Sequence, residues 1–124
     1  MVRITILYPN TPGARFDLRY YVETHMPMSI RLLSVHPGFR GVSVEQGLSG
    51  TTPGSPPAFI AMCHFDFLSV DDFVAAFTPN AEVLQGDMPN YTDISPMIQF
   101  NEVLVARQLG GDGAQPDASG ELMK

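Results

Sequence analysis

The feature that most limits the fold of this chain is a strand–helix–strand order that occurs twice. Alternating apolar and β-branched residues predict four strands, at Val2–Tyr8, Phe39–Gln46, Ala58–Phe67 and Pro96–Ala106. One helix is predicted inside each half, with Asp17 and Ser69 as their N-caps. A proline follows each N-cap by ten residues, Pro27 in the first helix and Pro79 in the second. Because proline lacks an amide proton and crowds the preceding turn, we expect both helices to break there.

This order predicts an α+β domain of the ferredoxin-like βαββαβ type, in which one antiparallel sheet carries both helices on the same face. A length of 124 residues suits a single domain. We expect that domain to span residues 1–107. Residues 108–124 are mostly Gly, Asp, Ala, Gln, Pro and Ser, which predicts a disordered tail.

The third strand shows how the two faces of the sheet should differ. Its residues from Phe59 to Phe67, taken alternately, form a wholly apolar face that should pack against the helices. The other face mixes apolar Met62 with polar His64 and Asp66. Only 16% of the chain is charged, against about 25% in ordinary domains. A mixed face in a chain with so few charges favours a homodimer, whose sheets pack together around a small cavity.

Charge and motif content argue against several classes of protein. The net charge is −6 and there is one lysine, which disfavours binding to nucleic acids or to anionic membranes. No apolar run approaches the roughly 20 residues of a membrane helix. The single cysteine, Cys63, cannot form an internal disulfide, and His25, His36 and His64 lack the spacing of a metal site. We therefore expect a cytoplasmic protein without a metal or cofactor.

Two short segments resemble a known family. The first, Phe16-Asp17-x-x-Tyr20-Tyr21-x-x-x-His25-x-Pro27, resembles the opening motif of the EthD family, named after a protein of ethyl tert-butyl ether degradation. The second, Pro89-Asn90-Tyr91-Thr92-Asp93, fits the same family. Leu7-Tyr8-Pro9 and the proline-rich loop from Pro53 to Pro57 fit it as well, so that the resemblance covers roughly residues 1–105.

The resemblance implies a dimeric α/β barrel, in which the sheets of two ferredoxin-like protomers face each other. Related barrels include cofactor-free monooxygenases, muconolactone isomerases and polyketide cyclases or dehydratases, and EthD itself is associated with an oxygenase system. The implied role is the breakdown of apolar ether or aromatic compounds. Some cyclases of this kind use a histidine two residues after the proline in the second helix. This chain has Ala81 there, which puts that mechanism in doubt.

Two histidines are the candidate catalytic residues. His25 lies at the expected break of the first helix, near Tyr21, and imidazole suits proton transfer near neutral pH. His64 shares a strand face with Asp66, whose carboxylate could orient the ring. Each histidine also has a structural interpretation: His25 could cap the broken helix, and His64 could form a hydrogen bond across a dimer interface.

Candidate substrate-binding residues combine hydroxyl or amide groups with methionine side chains: Tyr8, Tyr20, Met62, Tyr91, Met97 and Gln99. The leading hypothesis is a cofactor-free lyase, isomerase or oxygenase-type enzyme that applies acid–base chemistry to a small apolar molecule, in a cavity between the helices and the sheet. One alternative is a non-catalytic module that binds a hydrophobic ligand and assists an oxygenase. Another is a structural dimer whose cavity is too small for any ligand.

Overall fold

The computed structural model describes residues 1–107, and the tail predicted at 108–124 lies outside the described residues. Four strands form one antiparallel sheet in the order β2-β3-β1-β4: β1 (Val2–Pro9), β2 (Phe39–Gln46), β3 (Phe59–Phe67) and β4 (Met97–Glu102). This order confirms the predicted ferredoxin-like βαββαβ fold. The first three strands agree with the prediction to within one residue at each end, whereas β4 is shorter than predicted.

The first helical region does not break at Pro27, contrary to the prediction. A short helix, α1 (Leu18–Tyr20), passes into a π-helical segment at Tyr21–His25 and then into α2 (Met26–Leu33). In the π segment the amide of Met26 donates to the carbonyl of Tyr21, five residues back. The wider turn changes the hydrogen-bond pattern immediately before Pro27, so the helix continues past a residue that cannot donate a backbone hydrogen bond.

The second helical region is interrupted at Pro79, as predicted, because α-helical geometry ends at Phe77 and Asn80 has non-helical backbone angles. α3 (Val70–Phe77) begins after Ser69, whose hydroxyl accepts a hydrogen bond from the amide of Asp72, as an N-cap should. A single 3-10 turn then carries the chain past Pro79 into α4 (Ala81–Asp87). Thr78 has a side chain that often caps helices, but here it lies within a helical backbone and makes no capping hydrogen bond.

The helices pack against one face of the sheet, and the core lies between them. β1 and β3 pair Ile4 with Phe65 and Ile6 with Cys63, so β1 continues the apolar face predicted from β3. The opposite face, called the far face below, is only half-buried and includes Thr5. Within residues 1–107, no helix is both long and apolar enough to cross a membrane.

Candidate functional site

His25 and Asp87 form a buried pair on the helix side of the sheet. His25 is the last residue of the π-helical segment, which turns its side chain inward, and only 7% of the whole residue is exposed. Its Nδ1 lies 2.9 Å from Oδ2 of Asp87, the last residue of α4. Because an ionised carboxylate can only accept, Nδ1 carries the proton and donates it. Nε2 is then the ring nitrogen left for a ligand, and within the described chain it has no hydrogen-bond partner.

The carboxylate of Asp87 is held by three donors. The hydroxyl of Tyr20 donates to Oδ1 at 2.7 Å and the side-chain amide of Asn90 donates to the same oxygen at 2.9 Å. Burial alone would raise the pKa of Asp87, but the hydrogen bonds from His25, Tyr20 and Asn90 outweigh burial and hold this pKa below its ordinary value. Asp87 therefore stays ionised and fixes the tautomer and orientation of His25.

Two tyrosine rings pack against the ring of His25, and a third, Tyr8, contacts both of those tyrosines. The centroid of the His25 ring lies 4.6 Å from that of Tyr91 and 5.7 Å from that of Tyr21. The hydroxyls of Tyr91 and Tyr8 form a hydrogen bond of 2.7 Å. Burial raises the pKa of all three phenols above the ordinary value. They therefore remain protonated and can donate hydrogen bonds to an oxygen atom.

A partly enclosed cavity of about 100 Å³ adjoins these groups, between the helices and the sheet. Most of its lining is hydrocarbon, aromatic or methionine. The polar residues in the lining are Tyr8, Tyr21, His25, Ser29, Cys63, Gln85 and Tyr91. Burial raises the pKa of the Cys63 thiol to about 12, so this cysteine is not a nucleophile at neutral pH. The cavity thus brings one base and several hydroxyl donors to a mostly apolar space.

The two segments that carry the family resemblance meet beside this cavity. A backbone hydrogen bond of 2.7 Å runs from the amide of Asp17 to the carbonyl of Tyr91. The hydroxyl of Thr92 donates to the carbonyl of Arg15 at 2.7 Å, and the carboxylate of Asp93 accepts from the amide of Arg15 at 2.8 Å. These contacts fix Tyr91 against His25 and explain why residues so far apart in the chain form one constellation.

The structure places the second predicted pair differently. Asp66 does not orient His64, as the sequence analysis expected, because both of its oxygens bind the guanidinium of Arg3, at 2.7 and 3.0 Å. His64 lies instead between Thr5, 3.0 Å from Nδ1, and Glu45, 3.2 Å from Nε2. Cross-strand neighbours, which the sequence periodicity does not identify, replaced the expected partner two residues along the strand.

The predicted site residues therefore divide between the two faces of the sheet. The cavity is lined by four of them, Tyr8, Tyr21, His25 and Tyr91. Tyr20 is not in the cavity lining but donates a hydrogen bond to Asp87. The far face holds the rest: Met62, His64, Asp66, Met97 and Gln99. Since the sheet separates the two groups, His25 and His64 do not share a site within one chain.

Sequence reasoning missed Asp87, and it named Asn90 only as part of the motif segment at residues 89–93. Gly86 favours the end of a helix, so the sequence does not indicate that helical structure extends to Asp87. In the structure α4 continues through Gly86 and presents Asp87 toward His25. One signal was available: Asp87 lies in the same short region as Asn90 and Tyr91, which the family motif had already singled out. Among residues 1–107, no group of three His, Cys, Asp or Glu side chains could hold a metal ion.

The chain was compared with sequence families and solved structures. The EthD domain profile matches residues 14–95. An EthD-like protein from Ralstonia eutropha JMP134 is 43% identical with a TM-score of 0.80, and the match covers 86% of this chain and 94% of that one. An EthD family protein from Bacillus halodurans C-125 is 20% identical with a TM-score of 0.63, covering 84% and 99%. A search of curated proteins finds no match.

The fold extends to more distant proteins. A protein from Bacteroides fragilis NCTC 9343, described as dimeric and of ferredoxin-like fold, is 15% identical with a TM-score of 0.54. That match covers 82% of this chain and 95% of the other, and at this identity it supports the fold alone. The EthD profile match spans most of the chain and includes both motif segments. The similarity to the Ralstonia protein covers 86% of this chain and 94% of that protein. The chain therefore belongs to the EthD family.

Proposed function

We propose that this protein is a cofactor-free acid–base enzyme and that His25 is its general base. The observation that carries this proposal is the buried pair of His25 and Asp87 at a mostly apolar cavity, with Nδ1 engaged at 2.9 Å. A carboxylate that holds one ring nitrogen leaves the other as a proton acceptor and stabilises the imidazolium that forms. Because the pKa of Asp87 is lowered, this carboxylate remains charged throughout.

The proposed step is a proton transfer. A proton leaves an acidic C–H or O–H group of the substrate for Nε2 of His25, and the electron pair of the broken bond stays on the substrate. Where the substrate is a carbonyl compound, the negative charge collects on its oxygen. The hydroxyls of Tyr8 and Tyr91 share two protons, and their mutual hydrogen bond uses only one. The second can stabilise that oxygen, so the step requires no oxidant or co-reactant.

We also propose that the protein is a homodimer that uses its far face as the interface. Half-buried and exposed apolar side chains such as Leu7, Met62 and Met97 lie on that face beside polar ones. The similarity to a dimeric protein of the same fold supports this arrangement. Each subunit then keeps its own cavity on the opposite side of its sheet.

The cavity also bears on the alternative functions. Drug-sized ligands occupy pockets of about 300–1,000 Å³, so a cavity of about 100 Å³ does not favour polyketide cyclisation. A module that binds a ligand without transforming it would use the same apolar lining but would not need the pair of His25 and Asp87. A role in breaking down ether or aromatic compounds, alone or beside an oxygenase, stays a prediction from family membership.

The proposal can be tested without knowledge of the natural substrate. The protein is incubated in D₂O with enolisable ketones from acetone to 1-indanone, and α-deuterium incorporation is followed by NMR. We expect accelerated exchange of at least one ketone, and loss of that acceleration in His25→Gln. His64→Gln is the matched control and should retain it. Exchange no faster than in buffer, or equal in the native chain and His25→Gln, would overturn the proposal and favour a binding module.

A further inference from the structure

The lining of the cavity excludes charged ligands. Although Asp87 holds His25 in place, no Asp, Glu, Lys or Arg side chain from residues 1–107 lines the cavity itself. A carboxylate or phosphate on the ligand would therefore lose its hydration without gaining a cationic partner. The tyrosine hydroxyls offer neutral hydrogen bonds only, because burial raises their pKa values. A ligand that enters this space is neutral.

The volume of the cavity limits the ligand to about one ring. A buried apolar cavity of about 150 Å³ accommodates benzene. The cavity here is about 100 Å³ and partly open, with exposed Ile98 and Gln85 at its rim. A five-membered ring or a short branched chain therefore fills it, and a fused second ring has no space within it.

Two clusters of aromatic rings in the cavity lining differ in chemistry. The rings of Tyr8, Tyr21 and Tyr91 contact one another and carry hydroxyls. Phe73 and Phe77 stack with a centroid distance of 5.5 Å, and their side chains carry no polar atom. The cavity has lining residues from both clusters. A ligand with one oxygen and an otherwise apolar body would place the oxygen at the tyrosines.

We infer that the site takes a neutral carbonyl compound of one ring or similar size, with its oxygen at the tyrosine hydroxyls and its α-C–H toward Nε2 of His25. This inference rests on the proposed function for its catalytic part, because an α-proton is the acidic proton of such a ligand. The expected size, neutral charge and carbonyl oxygen of the ligand follow from the cavity alone. Binding experiments therefore test the ligand class, whereas exchange experiments test the role of His25 as a base.

The binding test uses four matched probes with methyl-labelled full-length protein and NMR titration. Cyclopentanone is the expected ligand, 1-indanone adds a fused ring, cyclopentanecarboxylate adds a charge, and methylenecyclopentane replaces the carbonyl oxygen by carbon. We expect shifts of the cavity methyls of Leu33, Leu84 and Met88 with cyclopentanone, in the millimolar range that suits so small a ligand. Each of the other three should bind at least about tenfold more weakly. Leu7 and Met97, on the far face, should not shift.

A pair of variants on α4 provides a second measurement. Leu84→Phe adds bulk inside the cavity, whereas Val83→Phe adds somewhat more bulk at the adjacent exposed position. We expect cyclopentanone binding to fall about tenfold or more in Leu84→Phe and to stay unchanged in Val83→Phe. The probe series on the native chain gives the answer even if Leu84→Phe does not fold.

The outcomes separate the inference from the proposed function. Selective binding of cyclopentanone without accelerated exchange would support the ligand class and overturn the acid–base role of His25. Accelerated exchange that is equally fast for 1-indanone would support the role of His25 and overturn the ligand class. Equal affinity for all four probes, or shifts centred on the far face, would also overturn the ligand class.

Discussion

A histidine lies beside a carboxylate on each side of the sheet, but the two pairs differ in whether the imidazole keeps a ring nitrogen without a partner. The side chains of His25 and Asp87 are 9% and 14% exposed, whereas those of His64 and Glu45 are 22% and 49% exposed. His25 lines a cavity and uses one ring nitrogen within its pair, while its other nitrogen has no hydrogen-bond partner among residues 1–107. Both nitrogens of His64 have partners, Thr5 and Glu45. A free nitrogen at an enclosed space, more than a nearby carboxylate, distinguishes a candidate base from a structural histidine.

The partners of His64 extend into a row that crosses the whole sheet. Gln99 donates to Asn101 at 2.7 Å, and Asn101 donates to Thr5 at 3.0 Å. Thr5 in turn forms a hydrogen bond with His64, which contacts Glu45. These residues come from all four strands. Each of these five side chains has at least one polar partner, and the row aligns polar groups on one face of the sheet. This suits an interface with a second subunit.

The largest expected difference between the two pairs is in catalysis. Asp87→Asn replaces the carboxylate, which holds the proton on Nδ1 of His25 and stabilises the imidazolium, by a neutral amide that can also donate. Ketone exchange should therefore fall by about 10²–10⁴-fold. Glu45→Gln, the matched change on the far face, should alter exchange by less than about twofold. Exchange rates in D₂O measure both, and circular dichroism checks that each variant is folded. Similar losses in the two variants would show that the faces do not differ in the way proposed.

The second largest expected difference is in stability, between a core side chain and a far-face side chain of β3. Phe65→Ala empties a buried position on the helix side and should lower the free energy of unfolding by about 3–5 kcal/mol. Met62→Ala, on the half-buried far face, should cost about 1 kcal/mol in a dilute monomer. Urea denaturation measures both changes. If the far face forms a dimer, the cost of Met62→Ala should grow as protein concentration rises, and a cost independent of concentration would contradict that interface.

The sequence predicted the topology and the assignment of residues to faces because these depend on period-two alternation within each strand. Val42 and Val44 are opposite Phe65 and Cys63 on the helix side, as that alternation requires. It did not predict the continuation of the helix through Pro27, which requires a π turn that no local propensity signals. Alternation within a strand also did not identify the partners of His64 and Asp66, which depend on cross-strand register, or that of His25, which depends on a contact between distant segments.

The buried pair of His25 and Asp87 should also make the free energy of unfolding depend on pH in the acid range. The pKa of Asp87 is lower in the folded chain than in the unfolded chain, so its ionised form stabilises the fold above about pH 4. That contribution is lost as the pH falls through the folded value. The difference in unfolding free energy between the native chain and Asp87→Asn should therefore shrink on acidification. Asn90→Ala removes one donor, which should raise the pH at which the difference shrinks, and no such displacement would contradict the assigned role of Asn90.

The smallest effect is expected from the ion pair on the far face. Arg3 binds both oxygens of Asp66, but its side chain is 42% exposed and solvent screens the pair. Arg3→Gln should therefore lower the free energy of unfolding by less than about 1 kcal/mol in a dilute monomer, and the loss should disappear in about 1 M salt. Denaturation at two salt concentrations measures this. A larger loss that salt does not reduce would mean that the pair is shielded from water, and a dimer on the far face predicts that shielding once protein concentration is high.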